Sequence, residues 1–211
     1  GQILFLLIPF AMYLIAFSPC LSNMLKSARM SSEDVQMLST YIAWLSVSLP
    51  FYGVCTYLQK ACSSLRKMSL FAIAECIAGA IQIVICLVFT PIFGFNIVGI
   101  SSTFFFVAID AVTFAILRHE LGRIGFKSIF ASGVRALVLG AVGALVGAGI
   151  LMLLQMLVGP IAGGGMMRSL LYCIVGGVPA LIVTFGFAIS RQMPEVAVLS
   201  AMVKRFIPRR A

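Results

Sequence analysis

The most constraining feature of the chain is an uncharged segment at residues 35–59, which has Pro50 near its middle and Lys60 directly after it. Its 25 residues exceed the ~20 that a helix needs to cross the hydrocarbon core of a bilayer. Pro50 removes one backbone donor and predicts a kink, which membrane helices tolerate where neighbours satisfy the freed carbonyl. The acidic, polar residues 31–34 can cap the helix and complement its dipole. The segment therefore predicts a kinked transmembrane helix.

The overall composition extends this prediction to the whole chain. Hydrophobic residues make up 62% of the sequence and charged residues 10%, against roughly 25% charged in soluble domains. The net charge of +9 does not require a nucleic-acid partner, because membrane proteins concentrate basic residues in cytoplasmic loops. The six cysteines lie in or beside apolar runs without metal-ligand spacing, and we expect them to act as small buried hydrophobes.

Apolar runs and turn signals predict an all-α, polytopic membrane helix bundle of six transmembrane helices. A basic loop is expected at residues 118–135, and a basic amphipathic helix on the membrane surface is expected at residues 191–211. Both predictions follow from charged residues interleaved with apolar ones. The predicted spans are residues 3–25, 35–59, 68–93, 97–117, 136–158 and 169–190.

The distribution of basic residues predicts the orientation of these spans. If the first span runs outwards, twelve Lys and Arg residues fall on the inner side and three on the outer side. Positive residues accumulate in cytoplasmic loops, so both ends of the chain are expected to be cytoplasmic. The three outer residues are Lys26, Arg29 and Arg168.

Polar residues within the predicted spans are candidates for function, since each is costly in a bilayer. Glu75 and Gln82 fall on one face of the third span with Cys86, and Ser102 and Asp110 share a face of the fourth with Phe106. Asp110 lies near mid-span, where a carboxylate costs roughly 2.5–3.5 kcal/mol on insertion scales. It is either a protonated or hydrogen-bonded structural acid, or an acid that lines a cavity and binds a cation or proton. Glu75 is close enough to the membrane edge for its carboxylate to reach water.

Small residues mark the last two spans. Gly140, Gly143 and Gly147 recur on the fifth span, and Gly176 and Gly177 lie within the sixth. Small residues at this spacing let helix backbones approach closely. We therefore expect these glycines to serve helix packing rather than a binding site.

Four stretches of the chain resemble one family of membrane proteins. They are IPFAMYLIAFSPCLSNML in the first span, SSEDVQ before the second, YLQKACSSLRK at its end, and PIFGFNIVGIS between the third and fourth. Together they resemble the C-terminal lobe of the MurJ/MviN family, lipid II flippases of the multidrug/oligosaccharidyl-lipid/polysaccharide exporter superfamily. The resemblance covers about residues 2–126, and the fifth and sixth spans match as the extra helix pair that ends the family.

The resemblance implies a division of the chain into three parts. Residues 1–126 would form four helices of the C-terminal transporter lobe, residues 127–190 the extra pair, and residues 191–211 the cytoplasmic tail. The chain would supply the ninth to fourteenth helices of a fourteen-helix transporter in the bacterial inner membrane. Because Gly1 begins within apolar sequence, we expect the chain to be a fragment whose N-terminal lobe is missing.

The resemblance also implies ligands and partners. The cargo would be lipid II or a similar undecaprenyl-linked oligosaccharide, with no nucleic-acid partner and no cofactor other than a coupling sodium ion or proton. Some members hold sodium at positions that correspond to Gln82, Cys86, Val98 and Ser102, although the Cys86 thiol is a poor ligand for a hard cation. A groove between the extra pair and the lobe would hold the isoprenoid tail. The residues expected to line the substrate cavity are Asp110, Glu75, Lys60 and Arg66.

These features predict a membrane transporter that flips its cargo by alternating access, without covalent chemistry. An integral-membrane transferase is disfavoured because the sequence offers no His–Asp pair or clustered acids at a membrane edge. Two alternatives stay open. One is an O-antigen or capsular polysaccharide flippase of the same superfamily, and the other is a non-transporting membrane scaffold.

Overall fold

The computed structural model of the chain describes residues 2–26, 29–121, 126–161 and 165–191. The described residues are all-helical, as predicted, and contain no strand. A single 3-10 turn at Gly94–Asn96 joins two of the helices. The α-helices are α1 (Gln2–Ala16), α2 (Ser18–Met24), α3 (Ser32–Ser64), α4 (Met68–Phe93), α5 (Ile97–Leu121), α6 (Phe126–Val158) and α7 (Met166–Ser190).

The first predicted span is divided into two helices. α1 and α2 meet at Phe17 and are bent by 67° relative to each other, so the predicted first span at residues 3–25 consists of two helices. The break lies beside Pro19, which occupies the first turn of α2. A proline ring clashes with the carbonyl four residues earlier, so the preceding helix cannot continue through it without distortion. Pro9, by contrast, lies within α1.

α3 is longer than the uncharged segment that predicted it. Its 33 residues extend about 50 Å at 1.5 Å per residue, well beyond the ~30 Å hydrocarbon core. The helix continues through Pro50. The predicted cap is confirmed as a capping box: the Ser31 backbone N–H donates to Asp34 Oδ2 at 2.8 Å, and the Asp34 N–H donates to Ser31 Oγ at 3.1 Å.

α4 and α5 form an antiparallel hairpin around the 3-10 turn. The Oγ of Ser101 lies 3.4 Å from Gln82 Nε2, although 19 residues of straight helix would separate them by about 28 Å. Gly94, at φ 57°, adopts the left-handed conformation that glycine reaches most easily. The chain therefore reverses direction between residues 93 and 97.

The predicted basic loop at residues 118–135 is mostly helical. α5 continues to Leu121 and α6 begins at Phe126, so the loop prediction is wrong on both sides of residues 122–125. Lys, Arg, Leu and Ala are good helix formers, and leaving the membrane does not require a helix to end. The expected amphipathic helix of the tail falls on residues 192–211, which lie outside the described residues.

The helices pack in a row whose order differs from the order in the chain. α4 packs on α5, α5 on α3, α3 on α1, α1 on α6 and α6 on α7, while α2 bridges α3 and α7.

Large apolar side chains cover the outside, such as Leu87 and Met156, which are 74% and 83% exposed. Such a surface is compatible with a multi-pass membrane protein. By length and composition, four stretches can cross a bilayer, or five with the bent α1–α2 pair: Ser32–Ser64, Met68–Arg118, Ala131–Val158 and Met166–Ser190.

The α6–α7 pair is fastened to α1 and α2 by close packing and buried hydrogen bonds. A Cβ added at Gly140 or Gly147 would meet Pro9 Cα at 2.9 Å or Phe17 Cε2 at 3.1 Å. A Cβ added at Gly143 or Gly176 would likewise be too close to neighbouring side chains, which confirms the predicted packing role of these four glycines. Gly177 has no such neighbour and faces open space. Because side chains of α1 fill this contact, it leaves little room there for the groove expected between pair and lobe.

Candidate functional site

The most unusual feature inside the helix bundle is a row of unpaired oxygen atoms on α5. The Oδ1 of Asp110 and the Oγ1 atoms of Thr103 and Thr113 are buried and have no hydrogen-bond partner among the described residues. Asn96 Oδ1, in the preceding 3-10 turn, shares this property. Buried polar atoms are normally paired, so each exception requires a physical explanation. We refer to Asn96, Thr103, Asp110 and Thr113 as the α5 polar row.

The α5 polar row is long and lies along one side of its helix. At about 100° per residue, Thr103, Asp110 and Thr113 fall within an arc of about 80°. From Asn96 to Thr113 the row rises about 25 Å, most of the ~30 Å hydrocarbon core. It is too extended to be a single ion site. It is instead a series of oxygen atoms spaced along the axis of α5.

Three helices converge around the carboxylate of the α5 polar row. Cys55, on α3, is buried and lies within electrostatic reach of both Asp110 and Glu75. Asp110 is half-buried and Glu75 is exposed. The structure therefore brings these two predicted residues towards the same part of α3. The Asp110 side of α5 also holds Phe106, whose ring makes an edge-on contact with Tyr52 of α3 at 5.3 Å between centroids.

A second polar contact joins α4 to α5. Gln82 Nε2 and Cys86 Sγ lie 3.4 Å and 3.2 Å from the fully buried Ser101 Oγ. Ser102, the serine predicted to share a site with them, donates instead to the Val98 carbonyl at 2.8 Å, as Ser101 does at 3.0 Å. The expected sodium ligands are thus close together, but Ser101 faces Gln82 and Cys86. Within the described ranges, no three His, Cys, Asp or Glu side chains form a metal-binding cluster.

The two predicted cationic residues lie at the basic end of α3. Lys60 is exposed and borders a groove between α1 and α3. Arg66 follows the helix and adopts φ 56°. The Lys67 N–H donates to the Cys62 carbonyl and the Arg66 N–H to the Ser63 carbonyl, which together form a Schellman motif with Arg66 at the position that glycine usually occupies. Neither residue is on α5, the helix that carries Asp110.

Sequence analysis missed four residues of this region: Asn96, Ser101, Thr103 and Thr113. Ser101 could have been considered from the sequence, because it is adjacent to Ser102. After a tight turn, either of the two serines could face the preceding helix. The threonines carried no signal in the sequence, since a threonine within a helix ordinarily donates to a carbonyl of its own preceding turn. That their hydroxyls lack such a partner is visible only in the structure.

Comparison of the chain with known protein families and with curated proteins finds no match. What the site does is therefore inferred from its chemistry and from the sequence resemblance.

Proposed function

We propose that this chain is the C-terminal part of a lipid-linked oligosaccharide flippase, with lipid II as its cargo. It would work by alternating access in the bacterial inner membrane and so serve peptidoglycan synthesis and cell shape. The observation that carries the proposal is the α5 polar row, which includes the Asp110 carboxylate. The resemblance of the first four predicted spans to MurJ/MviN proteins supports the choice of cargo.

The α5 polar row supports a transport pathway because unpaired polar groups are costly inside a bilayer. An unsatisfied polar group in an apolar medium costs several kcal/mol, and membrane proteins keep such groups where they face protein or a water-filled cavity. In the described residues these oxygen atoms have no protein partner. We infer that water or a cation occupies the space beside them for part of the transport cycle.

Asp110 is suited to coupling rather than to binding the cargo headgroup. A carboxylate repels pyrophosphate but attracts a proton or a cation. The proton or cation would neutralise the Asp110 carboxylate in one conformation and dissociate from it in another. Lys60 and Arg66 at the basic end of α3 would attract the headgroup at the mouth of the cavity. The N-terminal lobe would supply the remaining cations, so residues 1–211 alone would not translocate lipid II. A sodium site at Gln82, Val98 and Ser102 is a second candidate for coupling.

The proposal includes six spans with both ends cytoplasmic. The α4–α5 hairpin contributes two of them, and the bent α1–α2 pair contributes one. The excess of twelve basic residues over three sets the orientation. The extra helix pair corresponds to α6 and α7.

Genetic complementation tests the cargo and Asp110 together. The complete protein should restore growth and cell shape to a bacterium depleted of its own lipid II flippase. Asp110→Asn should express normally but fail to support growth, because it cannot carry the coupling charge. Glu33→Gln is the matched control: the same chemical change at an exposed acid in the first turn of α3 should leave growth intact.

Each alternative corresponds to a distinct outcome. Rescue of an O-antigen or capsule flippase mutant, without rescue of lipid II transport, would show that the cargo is the O-antigen or capsule precursor rather than lipid II. Failure in every flippase background, despite normal membrane insertion, would favour the scaffold. Equal growth with Asp110→Asn and Glu33→Gln would remove Asp110 from the mechanism.

A further inference from the structure

A groove of about 490 Å³ runs between α1 and α3, on the side of α1 away from α6 and α7. Its walls are apolar, with Leu7 and Phe10 on α1 and Leu49 and Tyr52 on α3. α1 and α3 are in close contact at Gly53, where an added Cβ would overlap the Leu7 side chain. Glycine at this position therefore forms the floor of an open, apolar channel.

The dimensions of the groove suit one acyl chain. Along α3 its lining extends from Leu49 to Lys60, a rise of about 16 Å at 1.5 Å per residue. Half of the ~30 Å hydrocarbon core is about 15 Å, which is the depth that the acyl chains of one leaflet occupy. The groove thus has the length of a single leaflet rather than of the whole membrane.

The polar groups of the groove are concentrated at one end. Lys60 lines that end, one helical turn beyond Thr56 and next to Tyr57, whose side chain is 60% exposed. Lysines and tyrosines of this kind lie at the membrane–water interface, where the phosphates of lipids are found. Arg66 and Lys67 follow within two helical turns, so the end is strongly basic and complementary to an anionic headgroup.

We propose that the α1–α3 groove binds one acyl chain of an anionic glycerophospholipid from the leaflet at the basic end of α3, with Lys60 against its phosphate. This lipid is a resident of the protein surface and is distinct from the transported cargo. The cargo would approach the α5 polar row, whereas the groove lies between α1 and α3. Lys60 is shared with the proposed function, in which it attracts the cargo headgroup, but binding of the acyl chain in the groove is measured without transport and is therefore tested separately from it.

Fluorescence quenching by brominated lipids tests this site in the complete protein. Trp44 is the single tryptophan of the 211 residues. In a background in which Trp44 and any tryptophan outside these 211 residues are replaced by Phe, Phe10→Trp places the only probe in the groove wall. The reconstituted protein is titrated with phosphatidylglycerol or phosphatidylcholine brominated at the same acyl positions. We expect phosphatidylglycerol to bind about fivefold more tightly, the factor for one lysine at an anionic membrane surface.

Three variants separate the groove from general membrane charge. Lys60→Gln should abolish the preference, whereas Lys26→Gln, at an exposed lysine near the other end of α3, should keep it. Thr56→Phe should fill the groove and reduce quenching by both lipids without altering Lys60. Since Lys60 is exposed, Lys60→Gln tests the site even if Thr56→Phe fails to fold.

The quenching experiment has distinct outcomes for and against the lipid site. Equal affinity for both lipids, or a preference unchanged by Lys60→Gln, would overturn the proposal. Displacement of the brominated lipid by undecaprenyl phosphate at lower mole fraction than by phosphatidylglycerol would also overturn it, and would assign the groove to the transported lipid. Inorganic phosphate should leave the quenching unchanged, because it has no acyl chain to occupy the apolar groove.

Discussion

Gly143→Ala tests the packing of the α6–α7 pair against α1 through the addition of a single methyl group. The new Cβ would overlap the Thr184 hydroxyl and lie 2.5 Å from the Tyr13 hydroxyl and 3.1 Å from the Ala180 carbonyl oxygen. These three groups form one buried cluster. Tyr13 donates to the Ala180 carbonyl at 3.1 Å and also pairs with the Thr184 hydroxyl. The methyl group therefore cannot enter without displacing a hydrogen-bonded partner.

The expected loss of stability is about 2–4 kcal/mol. Overpacking a close-packed site costs about 1–3 kcal/mol. An interhelical hydrogen bond in a membrane contributes about 0.6 kcal/mol on average and up to about 1.7. Gly149→Ala is the matched control on the same helix, since nothing lies within 4 Å of its added Cβ. We expect the control to be as stable as the parent or more stable by up to about 1 kcal/mol, because alanine favours a helix over glycine.

Equilibrium unfolding of the purified protein in mixed micelles with increasing SDS measures both variants. Thr184→Ala in the Gly143→Ala background should recover part of the loss, because it removes the hydroxyl that the new methyl group overlaps. Equal stability of Gly143→Ala and Gly149→Ala would refute the packing described for α1, α6 and α7.

Three further predictions address the fold. Cys173 packs against the buried cluster that contains Cys20, and the two thiols lie within interaction distance. Copper-phenanthroline should therefore join them in a disulfide when the other four cysteines are replaced, and mass spectrometry of the digest should detect it. Absence of the link would contradict the α2–α7 contact. Arg66→Gly should be more stable than Arg66→Ala by about 1 kcal/mol in thermal unfolding, because alanine keeps the cost of a left-handed conformation, and equal stability would argue against the Schellman motif. Single cysteines at Ser32 and Ser128 should react with an impermeant thiol reagent from opposite sides of the membrane, and labelling from one side would reject the proposed topology.

The sequence predicts the helices well where run length and turn residues agree. α4 begins and ends at the predicted residues, and α5 begins at the predicted Ile97. The two largest departures from the predicted spans have different physical reasons. Pro9 and Pro19 look alike in the sequence, but only Pro19 falls where the chain bends. α6 begins ten residues before the predicted span because basic residues extend a helix beyond the bilayer instead of ending it.

The candidate site is only partly visible in the sequence. Helical spacing correctly placed Gln82 and Cys86 on one face of α4, yet the serine opposite them is Ser101 rather than Ser102. Adjacent helical residues differ by about 100° in direction. Which one faces α4 is therefore set by the rotation that the 3-10 turn imposes, and that rotation is not encoded in periodicity.

The unpaired buried oxygen atoms are confined to one half of the described structure. Where α1 and α2 meet α6 and α7, buried polar side chains are paired: Tyr13 with Ala180 and Thr184, and Asn23 with the Ile161 carbonyl at 3.2 Å and Ser169 Oγ at 2.7 Å. All the buried side-chain oxygens without partners in the described residues lie between residues 96 and 113.

If the α5 polar row served stability, selection for a rigid bundle would have paired it or replaced it with apolar residues, because an unpaired buried group destabilises more than an apolar one of the same shape. The paired side has the properties of a fixed scaffold. The unpaired side has those of a surface that could exchange partners. If the proposed alternating access holds, the moving contact would lie at α3–α5, and α6 and α7 would move with α1 and α2.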